Sequence, residues 1–384
     1  MLKEVNSLLA NGYIVKVFYS YWADWATTID AEILRGYKNG VFFQVGGDPY
    51  ENKVSYFFSR VLQKVAWYFQ FFSYRQYALA RTTYALTNAA LGEKADLYIA
   101  HNLGALPAAA KAAIRHKVSY GFDAEDFHRG EFSKQEGAAY ELTMAIEKKY
   151  LPLCTYITAS SPMIGAAYKK VAGRKVTVLH NVFSKIHIQE FTPQTDQPLR
   201  IFWFSQTIGP ERGLELIIKA LNQLPKCDIS LHLLGSCSAM YRQQLKGTAL
   251  RPDKIYFMQP VHPDEIFNIA AKFDIGLAAE DPATDNRNFC LTNKLFAYLI
   301  SGNFILASNT TAQEQFLLDY PGVGAIYESH DINTLTFLLE KLYSDRSYLN
   351  ECRKKSIQLA TNYFNWEHES GKLLSLVEKV LSGT

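Results

Sequence analysis

Charge of one sign is nearly absent as a surplus in this chain. Across 384 residues, 40 Lys and Arg face 37 Asp and Glu, leaving a net charge of +3. So small an excess gives no electrostatic case for a nucleic-acid partner. Cysteine is scarce and scattered: Cys154, Cys227, Cys237, Cys290 and Cys352 include no Cys-x-x-Cys pair. That pattern argues against a zinc site or a disulfide framework and suits a reducing cytosol. There is no apolar run long enough to cross a membrane, and the opening MLKEVNSLLANG carries Lys3 and Glu4 where a signal peptide needs an apolar stretch. Also missing are a Gly-x-Gly-x-x-Gly turn, which argues against a dinucleotide dehydrogenase, a Walker lysine loop and an Asp-x-Asp metal motif. The expected metal content is therefore none. No internal repeat or low-complexity segment interrupts the chain.

What is present is an ordinary globular composition, 48% hydrophobic and 20% charged, long enough for two cores. A helix at Leu2–Ala10, ended by Asn11-Gly12, precedes a strand at Tyr13–Tyr19. Doubly wound domains open on a strand and a tight turn before that helix, so an initial strand is expected ahead of Leu2, the other reading being an abbreviated domain. Further strands are read at Val41–Val45, Asp96–His101, Val118–Asp123, Tyr156–Ala159 and Val176–His180. They alternate with helices at Pro107–Arg115, Gly137–Tyr150 and Pro162–Lys170. After a Pro-containing interval, Phe183–Pro198, a second series follows: strands Arg200–Ser205, Ile229–Leu234, Ile255–Met258 and Asp274–Glu280, with helices Gly213–Leu224, Met240–Leu245 and Pro263–Lys272 between them. Helices at Ile332–Tyr343, Arg346–Thr361 and His368–Leu381 close the chain. Strands alternating with helices predict parallel sheets in an α/β protein.

Three segments carry candidate chemistry. In Asn288–Ser308, NFCLTNKLFAYLISGNFILAS, Thr292 stands at a helix N-cap, Gly302 at a left-handed stop, and Phe304–Ala307 reads as a buried strand. With the preceding strand this makes a βαβ unit, whose loop Glu280–Leu291 opens at the carboxyl end of a parallel strand, the edge where open α/β sheets bind ligands. In Ser205–Gly213, SQTIGPERG, a strand is expected to yield to a polar turn and then to a helix with Arg212 in its first turn. Lys294 repeats that placement. A cation at a helix N-terminus opposes the dipole by about 0.3–1 kcal/mol unless an anion lies between. Two such cations suggest a bound diphosphate; the other reading is two solvated cations with Glu211 as counterion. In Val118–His128 a strand ends among Asp123, Glu125, Asp126 and His128, and a second strand ends at His101. Three carboxylates so close repel unless something uses them; a lone His more often caps a turn. Ser160 and His180-Asn181 end other strands on the same rim.

From about Asp96 onward this pattern resembles the GT-B glycosyltransferases of group 1, family 4. Arg212-Gly213 resembles the family's basic-Gly pair, Asn293-Lys294-Leu295-Phe296 its donor-site core, Asp123-Ala-Glu125 its Asp-x-His-Glu segment with Glu125 in place of His, and Trp366-Glu367 its helix crossing. The resemblance implies two Rossmann-like domains facing across a cleft: 1–183 with a returning helix 366–384 on the acceptor side, a linker 184–198, and 199–365 on the donor side. It implies a nucleotide-sugar donor, a saccharide or lipid-linked saccharide acceptor, retention at the anomeric carbon and no cofactor. It also exposes departures. Two glutamates expected eight apart fall on Phe289 and Ala297, and an expected Arg falls on Thr207. Donor contacts must then come from Arg212, Lys294, Asn293, Gln206, Thr207, Glu280, Arg287 and the backbone N–H groups of Phe289, Cys290 and Leu291. Catalytic candidates are Asp123, Glu125, Asp126, His128 and His101. An epimerase of the same architecture and a non-catalytic binding relative are the alternatives.

Finally, Lys53–Arg81 holds five cations, no acid, and a dense run of aromatics from Tyr56 to Tyr77 that includes Phe71 and Phe72. One reading is a helix that packs its aromatics inside the first domain; the other is a helix lying on an anionic membrane, and the two are compatible. A cytoplasmic protein at the inner face of the membrane is the expectation.

Overall fold

The structure, a computed structural model, describes residues 1–69, 74–193 and 198–383; Phe71, Phe72 and linker residues 194–197 lie outside the described residues. The chain divides into two units, Met1–Leu179 with Ser370–Thr384, and His180–Glu369.

The first unit runs α1 (Leu2–Ala10), β1 (Val17–Tyr19), α2 (Asp24–Leu34), β2 (Phe42–Gln44), α3 (Lys53–Phe69), α4 (Thr83–Gly92), β3 (Leu97–His101), α5 (Leu106–His116), β4 (Ser119–Ala124), α6 (Ala138–Tyr150), β5 (Tyr156–Ala159), α7 (Pro162–Ala172) and β6 (Thr177–Val178). Strands β3 to β6 form a parallel sheet in sequential order, and β1 pairs with β2 in a separate parallel ribbon. Buried alanines along α5, from Ala108 to Ala113, let that helix lie close against the sheet. Ser161 caps α7 through the Ile164 N–H, Pro162 opens it and Gly173 ends it in the left-handed region.

The second unit runs β7 (Leu199–Ile208), α8 (Leu214–Asn222), β8 (Ile229–Cys237), α9 (Ala239–Thr248), β9 (Ile255–Met258), α10 (Glu265–Ala270), β10 (Ile275–Ala278), α11 (Asp285–Phe289), α12 (Asn293–Ser301), β11 (Phe304–Ser308), α13 (Thr311–Asp319), β12 (Gly324–Tyr327), α14 (Ile332–Ser344), α15 (Arg346–Asn362) and α16 (Trp366–Ser382), the last passing into the first unit. Its sheet is parallel with order β12-β11-β10-β7-β8-β9. The chain builds outward from β7 to β9, then returns to lay β10 against the other side of β7. The switch point therefore falls between β7 and β10. One core of Leu199, Ile201, Trp203, Leu231, Leu233, Ile275 and Leu306 fills this sheet and its helices.

Several expectations are corrected. Strand β7 continues to Ile208 through an irregularity in its pairing with β8, because β8 itself runs on to Cys237. Strand β1 is shorter than Tyr13–Tyr19. Helices α2, α4, α11 and α13 and strand β12 are additional. The apolar face of α13 is interrupted by Gln313, which is buried because its amide donates to Ser308 O at 2.9 Å, so a hydrophobic period could not reveal it. Ahead of the undescribed residues, the Phe183 ring meets Phe267 at 4.7 Å and Arg353 lies 5.3 Å from the Phe191 ring.

The reading that α3 buries its aromatics is also overturned. Phe57, Phe58, Tyr68 and Phe69 are exposed, while Ser59 and Ala66 face inward. Tyr56 is the exception, packed beneath the Arg81 guanidinium at 4.5 Å.

Candidate functional site

At the switch point of the second unit, the carboxyl ends of β7 and β10 release two loops toward each other. The first carries Glu211 and Gly213, both in the left-handed region at φ 60° and 72°. Gly213 is the N-cap of α8, so Arg212 stands just before the helix, not in its first turn as expected. A Cβ on Gly213 would sit 3.2 Å from the Cβ of Ala279, which brings the Arg212 turn against the residue preceding Glu280. Arg212 is half-buried and makes no ion pair among the described residues. Non-glycine residues such as Glu211 reach the left-handed region at a cost that surrounding structure must offset, a feature concentrated at ligand sites.

The second loop is organised around an ion pair. Lys294 Nζ lies 2.5 Å from Glu280 Oε1, with both side chains 12% exposed. Trp203, fully buried on β7, presents its ring 6.0 Å from the same ammonium. The Glu280 N–H donates to Ser308 Oγ, and that hydroxyl donates to Glu280 O, both at 2.8 Å, so the acid is clamped to β11. Burial, with the Glu280 charge nearby, raises the phenols of Tyr298 and Tyr327 above their ordinary value. Thr292 takes the expected N-cap place of α12, and Gly302 the expected left-handed stop at φ 70°. The Thr292 hydroxyl, however, caps nothing: its Oγ1 is buried and without a hydrogen-bond partner among the described residues.

The other donor-side candidates divide. Asn293 and Arg287 are exposed, Phe289 and Cys290 half-buried, Leu291 buried. The Cys290 N–H donates to Asn286 O at 2.9 Å, closing the short helix α11, and is thereby removed from the backbone donors proposed for a ligand. Gln206 and Thr207 lie exposed within β7, where Thr207 pairs with Ser236 on the β8 side, not in a turn beside Arg212. Ala297 is buried in α12.

In the first unit, β3 and β4 are in register with His101 beside Asp123. The His101 Nδ1 lies 3.2 Å from Asp123 Oδ2, and its Nε2 lies 3.4 Å from Glu4 Oε2. Thr158 donates to Asp123 Oδ1 at 2.5 Å. Burial works to lower the imidazole pKa, but the Glu4 and Asp123 carboxylates outweigh it and the net shift is upward. Burial raises the Glu4 carboxyl, with His101 opposing. Burial also works to raise Asp123, yet the His101 contact and the Thr158 hydrogen bond leave its net shift downward. Glu4 was invisible in the sequence, where an acid in the first turn of α1 reads as a partner of the helix dipole. The three residues offer ligand atoms within 4.8 Å of one another, the set that could hold a cation. The same two carboxylates favour the protonated imidazole.

The remaining catalytic candidates do not join this cluster. Glu125 is exposed, 3.7 Å from the Met1 amino group, and Asp126 is half-buried. His128 is committed elsewhere: Nε2 accepts from the Leu103 N–H at 3.2 Å, Nδ1 lies 2.7 Å from Glu131, and its own N–H donates to Tyr168 Oη at 3.1 Å. It braces the loop after β4. Ser160 donates to Glu125 O at 2.6 Å, and His180 Nδ1 meets Glu369 at 3.1 Å.

No protein-family model matches the chain, and no curated protein matches it in sequence. Solved structures match it in shape, two of those named here along nearly its whole length. HepE of Anabaena, in complex with UDP and glucose, is similar at a TM-score of 0.69 and 13% identity, over 98% of this chain and 95% of that one. A glycosyltransferase from Rickettsia africae is similar at 0.69 and 11% identity, over 100% and 94%. Sucrose-phosphate synthase of Thermosynechococcus elongatus is similar at 0.63 and 14% identity, over 79% and 78%. The chain has the GT-B fold. Within that GT-B chain each unit is Rossmann-like, the second carrying Arg212 and the Glu280–Lys294 pair and the first the Glu4–His101–Asp123 cluster.

Proposed function

We propose that this protein is a glycosyltransferase that moves a sugar from a uridine diphosphate sugar to an acceptor hydroxyl, with retention at the anomeric carbon and no metal. The observation that carries the reading is the switch point of the second unit. There the Arg212 turn abuts the segment leading into the Glu280–Lys294 pair, at the carboxyl edge of a parallel sheet in a GT-B chain. Arg212 supplies a cation with no ion pair among the described residues, and the α12 N-terminus supplies N–H groups that the Thr292 hydroxyl does not cap. Such groups bind a diphosphate and stabilise the charge that grows on it as the sugar leaves. UDP as the carrier is supported by HepE, described in complex with UDP and glucose. Donor-side residues are Arg212, Lys294 and Glu280, with Asn293 and Arg287 at the rim. Residues 1–183 with 366–384 form the acceptor side, residues 199–365 the donor side, and 184–198 link them. His101, fixed by Glu4 and Asp123, orients the acceptor hydroxyl. The acceptor is a saccharide or lipid-linked saccharide in surface polysaccharide or glycolipid synthesis, met in the cytoplasm at the inner face of the membrane.

The test is UDP release from a panel of UDP-sugars, with and without saccharide acceptors. Arg212→Ala should lower turnover by about a hundredfold or more, with an unchanged melting temperature because Arg212 is tied to no ion pair among the described residues. Undiminished turnover in that variant removes the diphosphate assignment. A new sugar nucleotide formed without acceptor identifies an epimerase, and binding without turnover a non-catalytic relative.

A further inference from the structure

We propose that α3 is an interfacial anchor that lays this protein on an anionic lipid surface. A surface helix of a globular protein turns its apolar stripe inward. Helix α3 does the reverse. Val54, Phe57, Phe58, Val61, Val65 and Tyr68 are all exposed, Val54 at 83%, Phe57 at 70% and Tyr68 at 88%. At 3.6 residues per turn they share about a third of the circumference. The inward side is held by polar contacts: an Arg81 N–H donates to Ser59 Oγ at 2.8 Å and Gln63 Nε2 donates to Ala78 O at 3.3 Å, beside buried Ala66. The helix therefore stays on the body of the protein with Tyr56 and Leu62 turned inward, while most of its large apolar groups face out.

The cations complete the pattern. Lys53, Arg60 and Lys64 fall together along one border of the apolar arc, all exposed and none in an ion pair among the described residues. Arg60 lies 5.8 Å from the Tyr56 ring, and no acid occurs between Lys53 and Arg81. A row of unneutralised cations beside an exposed apolar face complements a bilayer interface, where acyl chains meet the phosphate headgroups. Tyr68, on the arc, suits the same depth, where an amphipathic ring has one side dry and one wet. Among the described residues no helix is long and apolar enough to cross a membrane, so α3 would lie in the interface plane. The inference is independent of the sugar-transfer reading, since lipid binding needs no donor.

The experiment is co-sedimentation of the full chain with phosphatidylcholine vesicles, with or without phosphatidylglycerol, at low and high salt. Partitioning should require phosphatidylglycerol and weaken with salt. Joint substitution Lys53→Glu, Arg60→Glu and Lys64→Glu should lower it by about a hundredfold or more. Phe57→Ser with Phe58→Ser should abolish it while circular dichroism and melting stay unchanged, because both side chains are exposed. Absence of binding to the anionic vesicles overturns the proposal, as does equal binding by the charge-reversed variant. It is equally overturned if light scattering finds a dimer that the Phe57/Phe58 variant dissolves, since the face would then be covered by a second copy.

Discussion

A histidine at the end of a strand commonly satisfies itself on a turn, as His128 does here on Leu103 and Glu131. His101 instead stands between two carboxylates from two other elements, α1 and β4. Its imidazole pKa is raised above 6.5, so its charge stabilises the fold fully below pH 6.5, and that contribution fades as pH climbs through the raised value. Asp123, depressed below 3.8, acts on the other side: its contribution holds above pH 3.8 and is lost as pH falls through the lower value. Glu4→Gln should lower the His101 pKa and flatten the loss of melting temperature on the alkaline side. Imidazole chemical shifts followed from pH 5 to 9 measure this. A His101 that titrates at the same pH in both proteins would show that Glu4 does not govern it. Lys294 calls for different handling. Replacing it alone would leave Glu280 buried without its partner, at a cost of about 3–5 kcal/mol, so loss of activity in Lys294→Ala would mix stability with chemistry. That is why Arg212 is the cleaner probe.

At the scale of elements, strand cores and capped helices were legible because their signals are local. Helix α1, strands β5 and β9, and the Gly302 stop fall where hydrophobic runs and turn residues put them. What was missed has a physical reason in each case. Helix α13 hides behind a buried glutamine, and β7 runs past its apolar core because β8 offers it partners as far as Cys237. Strand β10 carries a further constraint that periodicity does not disclose. A Cβ on Gly276 would lie 2.1 Å from Tyr298 Cγ, and that tyrosine, fixed in α12, donates its hydroxyl to Leu277 O at 3.1 Å. Gly276→Ala should therefore destabilise the protein by about 2–4 kcal/mol, since neither the strand nor the ring can withdraw from a packed core. Chemical denaturation checks this; a change below about 0.5 kcal/mol would mean the ring moves freely.

For the molecule as a whole, the parallel sheet of the second unit, with its switch point between β7 and β10, sets where a ligand can be held. Saturation with a UDP-sugar at about a hundred times its dissociation constant should stabilise the folded chain by about 2.7 kcal/mol. Hydrogen exchange should then slow at the carboxyl ends of β7 and β10 and in the first turn of α12. Stabilisation with protection elsewhere would move the donor site off this edge.

The sequence by itself determined the class: βα alternation, charge-free strand cores and capped helices suffice for parallel sheets, because each is a relation between neighbours in the chain. It also singled out Arg212, Lys294, Glu280, His101 and Asp123 as polar groups at strand or helix ends. Only the tertiary structure decided which of these meet. Glu280, just past β10, pairs with Lys294 in the first turn of α12, Glu4 reaches His101 from a distant helix, His128 is withdrawn to brace a loop, and most aromatics of α3 face outward. Direction is the reason. A residue's place in an element follows from local spacing, but the side it presents and the partner it finds depend on how the elements pack, which no short stretch of chain encodes.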